Sequence, residues 1–196
     1  MKKVVLSIAV LLISLRVYSQ SVVPDTVGTI RFGIFIGPNY ANLQSVNVST
    51  TTLINNNFGY SLGVLMEYAL SKHFSVSPET ELSYNTSSVI FKYDNYSIRY
   101  SLYQVNLEFK GHLIYKTGQS KLRPYILAGP AIKFLMRGVG ANPYISMDFG
   151  IGLEHYFHSF IFAPELRYSL GLQRITDLAS DSDLKFNSIS MVFNFK

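Results

Sequence analysis

Two alternating runs joined by a very short turn fill residues 144–172 and limit what this chain can form. In the first run an apolar set alternates with small and charged neighbours: Ile145, Met147, Phe149, Ile151 and Leu153 against Ser146, Asp148, Gly150, Gly152 and Glu154. The second run repeats the arrangement, with Phe160, Phe162, Pro164, Leu166, Tyr168 and Leu170 against Ala163, Glu165, Arg167, Ser169 and Gly171. A period of two predicts β-strands, because successive side chains leave opposite faces. Each run has about 12 residues, roughly twice the usual strand and close to the ~9 to 11 of a tilted strand that crosses a bilayer.

The N-terminus has the layout of a secretory signal peptide. Lys2 and Lys3 precede an apolar run over residues 4–15, and Ser19 stands before Gln20. A run of this length is too short to cross a membrane as a helix, for which about 20 residues are needed. We therefore predict a signal peptide over residues 1–19, a short periplasmic leader over 20–29 and a single outer-membrane barrel domain over 30–196.

Charge and cysteine usage exclude several classes of protein. Removal of the signal peptide takes three of the 17 basic residues (Lys2, Lys3 and Arg16) and lowers the formal charge from +5 to about +2. No basic run remains, so we predict no nucleic-acid partner. The absence of cysteine rules out disulfides and thiolate metal sites.

The same alternation recurs along the chain and predicts eight strands in total. The other six run over about residues 30–41, 58–70, 73–85, 99–115, 122–135 and 186–196. Short turns at 71–72, 116–121 and 157–159 alternate with longer loops at about 42–57, 86–97, 137–143 and 173–185. An even number of strands with short turns on one side and long loops on the other is typical of bacterial outer-membrane barrels. The predicted fold is all-β, an eight-stranded antiparallel transmembrane β-barrel with up-and-down meander topology, whose closure pairs every backbone amide.

Three further features bear on this fold. The inward faces carry Gly, Ser, Asn and ionisable residues, whereas a lipocalin-like soluble barrel, the alternative, would be apolar inside. Pro78, Pro124, Pro130 and Pro164 fall inside predicted strands, where a missing donor costs a ladder hydrogen bond, so we expect bulges or non-bonded register positions there. Tryptophan is absent, so the aromatic belts at the membrane surfaces must come from the 14 Tyr and 14 Phe residues.

Six charged residues are predicted to form one layer inside the barrel. All lie on inward faces about six to eight residues above a short turn: Glu79, Glu81, Glu108, Lys110, Glu165 and Arg167. The interior of an eight-stranded barrel is filled by side chains, so we interpret the layer as a structural ion-pair cluster that closes the lumen. Four acids against two bases leave an imbalance that Arg31, Arg123 or Lys133 would offset, or that a protonated carboxyl would relieve. The functional alternative is a proton path or a small-solute pore.

No catalytic, cofactor or metal site is predicted. Barrels that act on lipids need their nucleophile and base at the extracellular rim, whereas all four histidines are predicted near the periplasmic end: His73, His112, His155 and His158. The acidic residues of the last loop, Asp177, Asp181 and Asp183, match no calcium-loop spacing. Phe193 and Phe195 resemble the aromatic C-terminal signal read by the barrel-insertion machinery, which we expect as a partner during assembly.

Five stretches resemble the PorT-like outer-membrane β-barrel family of Bacteroidetes: YQVNLEFKGHL (103–113), RPYILAGPAIKF (123–134), DFGIGLEHYF (148–157), PELRYSLGL (164–172) and SISMVFNFK (188–196). The resemblance covers about residues 30–196 and implies a barrel in contact with outer-membrane lipid. Its namesake is associated with protein secretion, and the family offers no catalytic motif to transfer. We expect a structural, binding or assembly role, with a protein partner at the loops or periplasmic turns, and keep a narrow pore as the alternative.

Overall fold

The computed structural model describes residues 27–45, 52–56, 58–92, 97–117, 121–137, 143–172, 175–176 and 183–196. These residues form ten strands: β1 (Ile30–Ser45), β2 (Thr52–Asn56), β3 (Phe58–Ala69), β4 (Phe74–Lys92), β5 (Ser97–Lys116), β6 (Leu122–Arg137), β7 (Tyr144–Tyr156), β8 (Ile161–Gly171), β9 (Ile175–Thr176) and β10 (Asp183–Phe195). The predicted signal peptide lies outside the described residues. In the part of the chain that is described, no helix has the length and apolar character needed to cross a membrane.

Eight of the strands close into a barrel in which every neighbour is antiparallel. The strands follow each other in chain order from β1 and β3 through β8 to β10, and β10 pairs back with β1. The closing ladder matches Ile34 with Phe195 and continues to Ser45 with Leu184. The prediction of a closed eight-stranded meander is confirmed.

The two ends of the barrel differ. The connections between β3 and β4, between β5 and β6 and between β7 and β8 lie at one end, here called the short-turn end. The first and last described residues lie there too, since Gly28 N donates to Ala69 O and Lys196 N donates to Ile161 O. The opposite end is called the loop end.

Strand structure continues further toward the loop end than the sequence analysis predicted. Residues 86–92 and 97 were expected in a loop but lie in the β4–β5 ladder, which continues from Thr86↔Tyr103 to Lys92↔Ser97. The short strand β2, also expected in a loop, pairs with β4 from Thr52↔Phe91 to Asn56↔Ser87. The loop predictions were wrong at these residues because a strand outside the bilayer no longer needs an apolar outer face, so its pattern resembles a polar loop.

Across the predicted membrane zone the outer wall is apolar, and the inner wall carries most of the polar and charged side chains. Outward residues such as Ile151 and Leu166 are 61% and 52% exposed, whereas inward Glu165 and Glu108 are 4% and 3% exposed. The predicted alternation is therefore confirmed. A soluble barrel would show the reverse order, because burying ionisable groups without partners is costly.

Aromatic side chains form the two belts expected on the outer wall. Toward the loop end, Tyr60, Tyr84 and Tyr103 follow one another across three strands, with ring centroids 5.1 Å and 6.4 Å apart. Toward the short-turn end, Phe74 packs on Tyr115 at 5.1 Å. Phe74 and Tyr84 both lie on β4, and the ten-residue step between them corresponds to about 25 Å along the barrel axis, the height of the apolar band in outer-membrane barrels.

The strand prolines lie at gaps in the hydrogen-bond ladders. Beside Pro78, the β3–β4 pairing skips from Leu65↔Glu79 to Tyr68↔Val76. The β5–β6 and β7–β8 ladders show equal gaps beside Pro130 and Pro164, and the last β5–β6 pair stands just before Pro124. The register is the same on both sides of each gap. Of the two arrangements expected at the prolines, non-bonded register positions are therefore confirmed, and β-bulges are not formed there. Within the described strands, the register shift lies at Val105/Asn106 instead.

Candidate functional site

The six charged residues predicted for the lumen all lie inside the barrel and contact one another. Lys110 Nζ lies 2.7 Å from Glu81 Oε2 and 3.1 Å from Glu108 Oε2. Arg167 lies 2.9 Å from Glu79 Oε2 through Nη1 and 2.6 Å from Glu165 Oε1 through Nε. The Arg167–Glu79 pair joins β8 to β4 on the opposite wall, because inward side chains of an eight-stranded barrel meet at its axis. The other three pairs lie within one strand or between the neighbouring strands β4 and β5.

Three residues outside the predicted set belong to the same network. Asp148 approaches Lys110 at 3.5 Å, and Lys133 approaches Glu108 at 3.3 Å. His112 lies between Glu79 (3.1 Å) and Asp148 (3.4 Å). His112 was predicted near the periplasmic end, but its ring lies in the middle of the lumen, between Glu79 and Asp148. We call these nine residues the central cluster: Glu79, Glu81, Glu108, Lys110, His112, Lys133, Asp148, Glu165 and Arg167.

The central cluster is acidic in its ordinary ionised form. It holds five carboxylates against Lys110, Lys133 and Arg167, so even a protonated His112 leaves one negative charge in excess. Of the three bases considered as additions, Lys133 joins the cluster. Arg123 instead donates to Tyr156 Oη at 3.0 Å and to Lys72 O at 3.0 Å, and Arg31 lies over the Tyr156 ring.

Apolar side chains fill the lumen on the short-turn side of the central cluster. Phe35, Leu65 and Val192 form one group, and a second is formed by Ile114, Tyr125, Leu127 and Ala163. The rings fit over glycines on the next strand, since a Cβ at Gly63 would overlap the Phe35 ring and one at Gly152 would overlap Tyr125. This packing leaves the lumen closed by side chains at that depth.

The inward faces were predicted to be polar, but the sequence carries a signal for this apolar layer. The inward residues Phe35, Leu65 and Leu127 each stand between two apolar outward neighbours, in the runs IFI (34–36), VLM (64–66) and ILA (126–128). A short unbroken apolar run inside an alternating strand therefore indicates where an inward residue is also apolar.

A second ion-pair group closes the short-turn end. Lys196 Nζ lies 2.8 Å from Glu154 Oε1 and pairs with Glu67, while Lys116 Nζ lies 2.9 Å from the same Glu154 oxygen and also pairs with Glu67. All four side chains are at most 4% exposed. We call these residues the terminal cluster. Its charges balance, in contrast to those of the central cluster.

On the loop side of the central cluster the lumen opens into a small polar cavity. Its lining includes Asn39, Ser83, Asn85, Asn106, Glu108 and Lys133. The cavity has a volume of about 20 Å³, enough for about one water molecule. The cavity therefore has room for one molecule of about the size of water and is too small to be a continuous pathway for solutes.

The other candidate residues do not assemble into a site. His73 and His155 lie at the short-turn end, where their rings contact Tyr115 and Phe157. Among the described side chains, no group of three His, Asp or Glu residues could hold a metal ion. Asp177 and Asp181 lie outside the described residues, and for Asp183 only the backbone is described, paired with Thr176.

Comparison with known proteins points to one family. The family model for the outer membrane protein beta-barrel domain matches residues 18–177. No curated protein matches the sequence. The outer membrane protein OprG from Pseudomonas aeruginosa shares 12% identity and a TM-score of 0.54, with 85% of this chain and 93% of OprG covered.

Two more solved structures extend the comparison. Neisserial surface protein A (NspA) shares 12% identity and a TM-score of 0.50, with 85% of this chain and 97% of NspA covered. The outer membrane enzyme PagL shares 10% identity over 82% of this chain and 97% of its own, with a TM-score of 0.44. At 12% identity, the likenesses to OprG and NspA bear on the fold and not on activity. The expectation that the chain is not an enzyme stays a prediction.

Proposed function

This chain belongs to the family of the outer membrane protein beta-barrel domain, and from that membership we propose that it is a non-conducting outer-membrane anchor whose loop end binds a protein partner. The observation that carries the proposal is the filled lumen. Three successive layers cross it from the loop side to the short-turn side: the central cluster, the apolar layer and the terminal cluster. A solute would have to displace all three, and truncating one member of a buried ion pair alone costs about 3–5 kcal/mol.

The loop end supports the binding part of the proposal. From Tyr84 in the aromatic belt, β4 continues for eight residues to Lys92, which corresponds to about 20 Å along the barrel axis. Over that length β4 is paired with β5 on one side. On the other side, its residues 87–91 are paired with β2. A hydrogen-bonded extension above the membrane surface gives a partner a more defined surface than a flexible loop would, because less chain entropy is lost on binding.

Two measurements test this function. Planar-bilayer recordings of the purified protein are expected to show no steady conductance steps. A photoreactive amino acid at position 90 or 99, which pair within the extension, is expected to capture a discrete protein in the native membrane. The same group at the lipid-facing position 126 is the control and is expected to capture lipid only. Equal capture at all three positions would contradict a partner at the loop end.

The resemblance to the PorT-like family of Bacteroidetes supports a finer form of this proposal. We infer a partner from a protein-secretion assembly, in a cell of that group. Deletion of the gene is then expected to leave secreted proteins in the periplasm while other outer-membrane barrels keep their usual amounts. Export of the chain itself requires the proposed signal peptide, so the mature protein is expected to begin near Gln20 in N-terminal sequencing.

A narrow proton path is the second candidate, and one observation favours it. Tyr125 donates to Glu165 at 2.9 Å, Arg167 joins Glu165 to Glu79, and His112 links Glu79 to Asp148. Lys110, 3.5 Å from Asp148, lines the polar cavity, so this chain of ionisable groups runs from the apolar layer to the cavity. Vesicles with a pH-sensitive dye inside test it: proton leakage that Glu79→Gln abolishes would favour the path over the closed anchor.

A further inference from the structure

One edge of the strand extension at the loop end has no neighbouring strand among the described residues. On one side, β5 is paired with β4 from Ser97 to Tyr115. On its other side the ladder with β6 begins only at Val105, opposite Arg137. Residues 97–104 of β5 therefore form a sheet edge about 26 Å long, at about 3.3 Å per residue. We call these eight residues the β5 edge.

The connection from β6 to β7 is too short to cover the β5 edge. Six residues, 138–143, separate Arg137 from Tyr144. Tyr144 pairs with Lys133, which lies four positions closer to the short-turn end than Arg137. A chain of six residues that must return by those four positions can rise only about one position beyond Arg137. The connection therefore cannot reach most of the β5 edge.

The backbone hydrogen bonds of β5 determine which of its groups point to this edge. Lys116 N donates to His73 O on the β4 side, and Thr117 N donates to Pro124 O on the β6 side. Backbone groups of successive residues in an antiparallel strand point to alternate sides, and the β4–β5 register has no break. The register shift in the β5–β6 ladder adds a residue to β6, so β5 keeps this alternation. Four residues therefore direct both N–H and C=O to the β5 edge: Ser97, Arg99, Ser101 and Tyr103.

This row of four donors and four acceptors matches the backbone of one more β-strand. In β-strand addition, an extended segment of a partner protein forms main-chain hydrogen bonds with an exposed sheet edge. Sheets that avoid such pairing have short edges or interrupt them with proline or a bulge. The β5 edge is eight residues long, contains no proline and keeps a regular register with β4. It is therefore suited to accept a strand.

The charges of the extension favour an acidic segment as that strand. Within its described strands the extension contains Lys92 and Arg99 and no Asp or Glu. Arg137 is exposed at the end of β6, where the β5 edge begins. Asp94, between β4 and β5, lies outside the described residues. Carboxylates on an added strand would meet basic residues along the edge, and such complementarity favours the correct partner.

We propose that the protein partner of the loop end donates an extended, acidic segment that pairs with the β5 edge as a further strand. The sheet formed by β2, β4 and β5 then gains a fourth strand above the membrane surface. This inference rests on the proposed function and names the chemistry by which the partner is recognised. Main-chain pairing supplies the affinity, and the charges of the segment supply selectivity.

The test removes one backbone donor of the β5 edge and leaves the rest of the sheet in place. Ser101→Pro deletes an N–H that points away from β4, so no bond of the β4–β5 ladder is lost, and proline is tolerated on an edge in this orientation. Ser101→Ala is the matched control, because it keeps the N–H. A photoreactive amino acid at position 97 reports capture of the partner in the native membrane. Ser101→Pro is expected to lower capture about tenfold or more, and Ser101→Ala is expected to leave it unchanged.

A second measurement applies even if Ser101→Pro does not fold. In the purified protein alone, the amides of Arg99 and Ser101 are expected to exchange with deuterium faster than those of Tyr100 and Leu102, which face β4. In the complex captured through position 97, the two fast amides are expected to become protected. Exchange at these two amides that is equally fast with and without the partner would overturn the proposal.

The charge of the partner segment is tested by reversing one charge at the edge. Arg99→Glu is expected to lower capture from position 97 about threefold or more, because carboxylates of the partner then meet a like charge. Arg99→Lys is the control and is expected to keep capture. Capture that is unchanged or increased in Arg99→Glu would contradict an acidic segment.

The outcomes separate this inference from the proposed function. If positions 90, 97 and 99 capture no protein in the unsubstituted chain, the proposed function fails and this inference fails with it. If capture persists in folded Ser101→Pro, the partner at the loop end stands and strand addition at the β5 edge is overturned. A captured product with twice the mass of this chain would assign the edge to a second copy and contradict the acidic partner.

Discussion

Arg167 Nη1 donates to Glu79 Oε2 over 2.9 Å, although β8 and β4 stand on opposite walls of the barrel. The two residues are 88 positions apart in the sequence. Their contact closes the centre of the lumen, and Arg167 also holds Glu165, so one guanidinium connects carboxylates from two strands. Such pairs contribute little net stability by themselves, but removing one partner leaves the other as an unpaired charge in a water-poor interior.

Arg167→Met is expected to destabilise the barrel by about 3–5 kcal/mol. The methionine keeps much of the apolar volume while Glu79 and Glu165 lose their cation. Urea unfolding in lipid vesicles measures the change. The double variant Glu79→Gln with Arg167→Met is expected to recover part of the loss, and a double variant that falls by the full sum of the single effects would contradict a direct pairing.

Leu166→Arg places a charge on the outer wall at the middle of β8 and is expected to cost about 2–4 kcal/mol in a bilayer. The physical reason is the depth of Leu166, which is 52% exposed between the two aromatic belts. Leu172→Arg is the matched control on the same chain segment, 57% exposed at the loop end, and is expected to cost about 0–1 kcal/mol. Folding free energies in vesicles decide the comparison, and equal costs at both sites would argue against the membrane position derived from the belts.

Gly63→Ala is expected to destabilise the protein by about 1–3 kcal/mol, because the new methyl group overlaps both the Phe35 ring and the backbone oxygen of Thr80. Phe35→Leu in the same chain is expected to relieve part of that cost by shortening the opposing side chain. Gly111→Ala serves as the control, since a Cβ there meets nothing within 4 Å. Thermal midpoints of the four proteins give the answer, and a Gly111 variant as damaged as the Gly63 variant would show a general effect on strand glycines.

Lys196→Met is expected to weaken the terminal cluster, because Glu67 and Glu154 then share Lys116 alone. A loss of about 3–5 kcal/mol is expected for an uncompensated buried carboxylate. Unfolding in urea measures the loss. The double variant Lys196→Met with Glu67→Gln restores the charge balance and is expected to be more stable than Lys196→Met alone. If the pair is less stable than Lys196→Met alone, the terminal cluster is not held by charge.

The alternation of apolar and polar residues in the sequence by itself determined which side chains face outward from the barrel wall and which face the lumen. Residues such as Ile151 and Glu165 could be assigned to opposite faces because a strand has a period of two, and the strand length set the bilayer as the surrounding medium. The inward residues were identifiable for the same reason, including the six charged residues of the lumen. These inferences need no knowledge of which strand lies beside which.

The contacts across the lumen were decided only by the closed barrel. Strand tilt and stagger set which inward residues meet, and neither quantity is written in a local pattern. His112 therefore contacts Glu79 and Asp148 and does not lie at the short-turn end. Lys196 completes the terminal cluster, whose other members come from three other strands. The side chains of Asn39 and Asn85 come to face each other across the strand between them. The strand extension at the loop end was hidden for a related reason, since alternation reports on burial in lipid and that constraint ends where the bilayer ends.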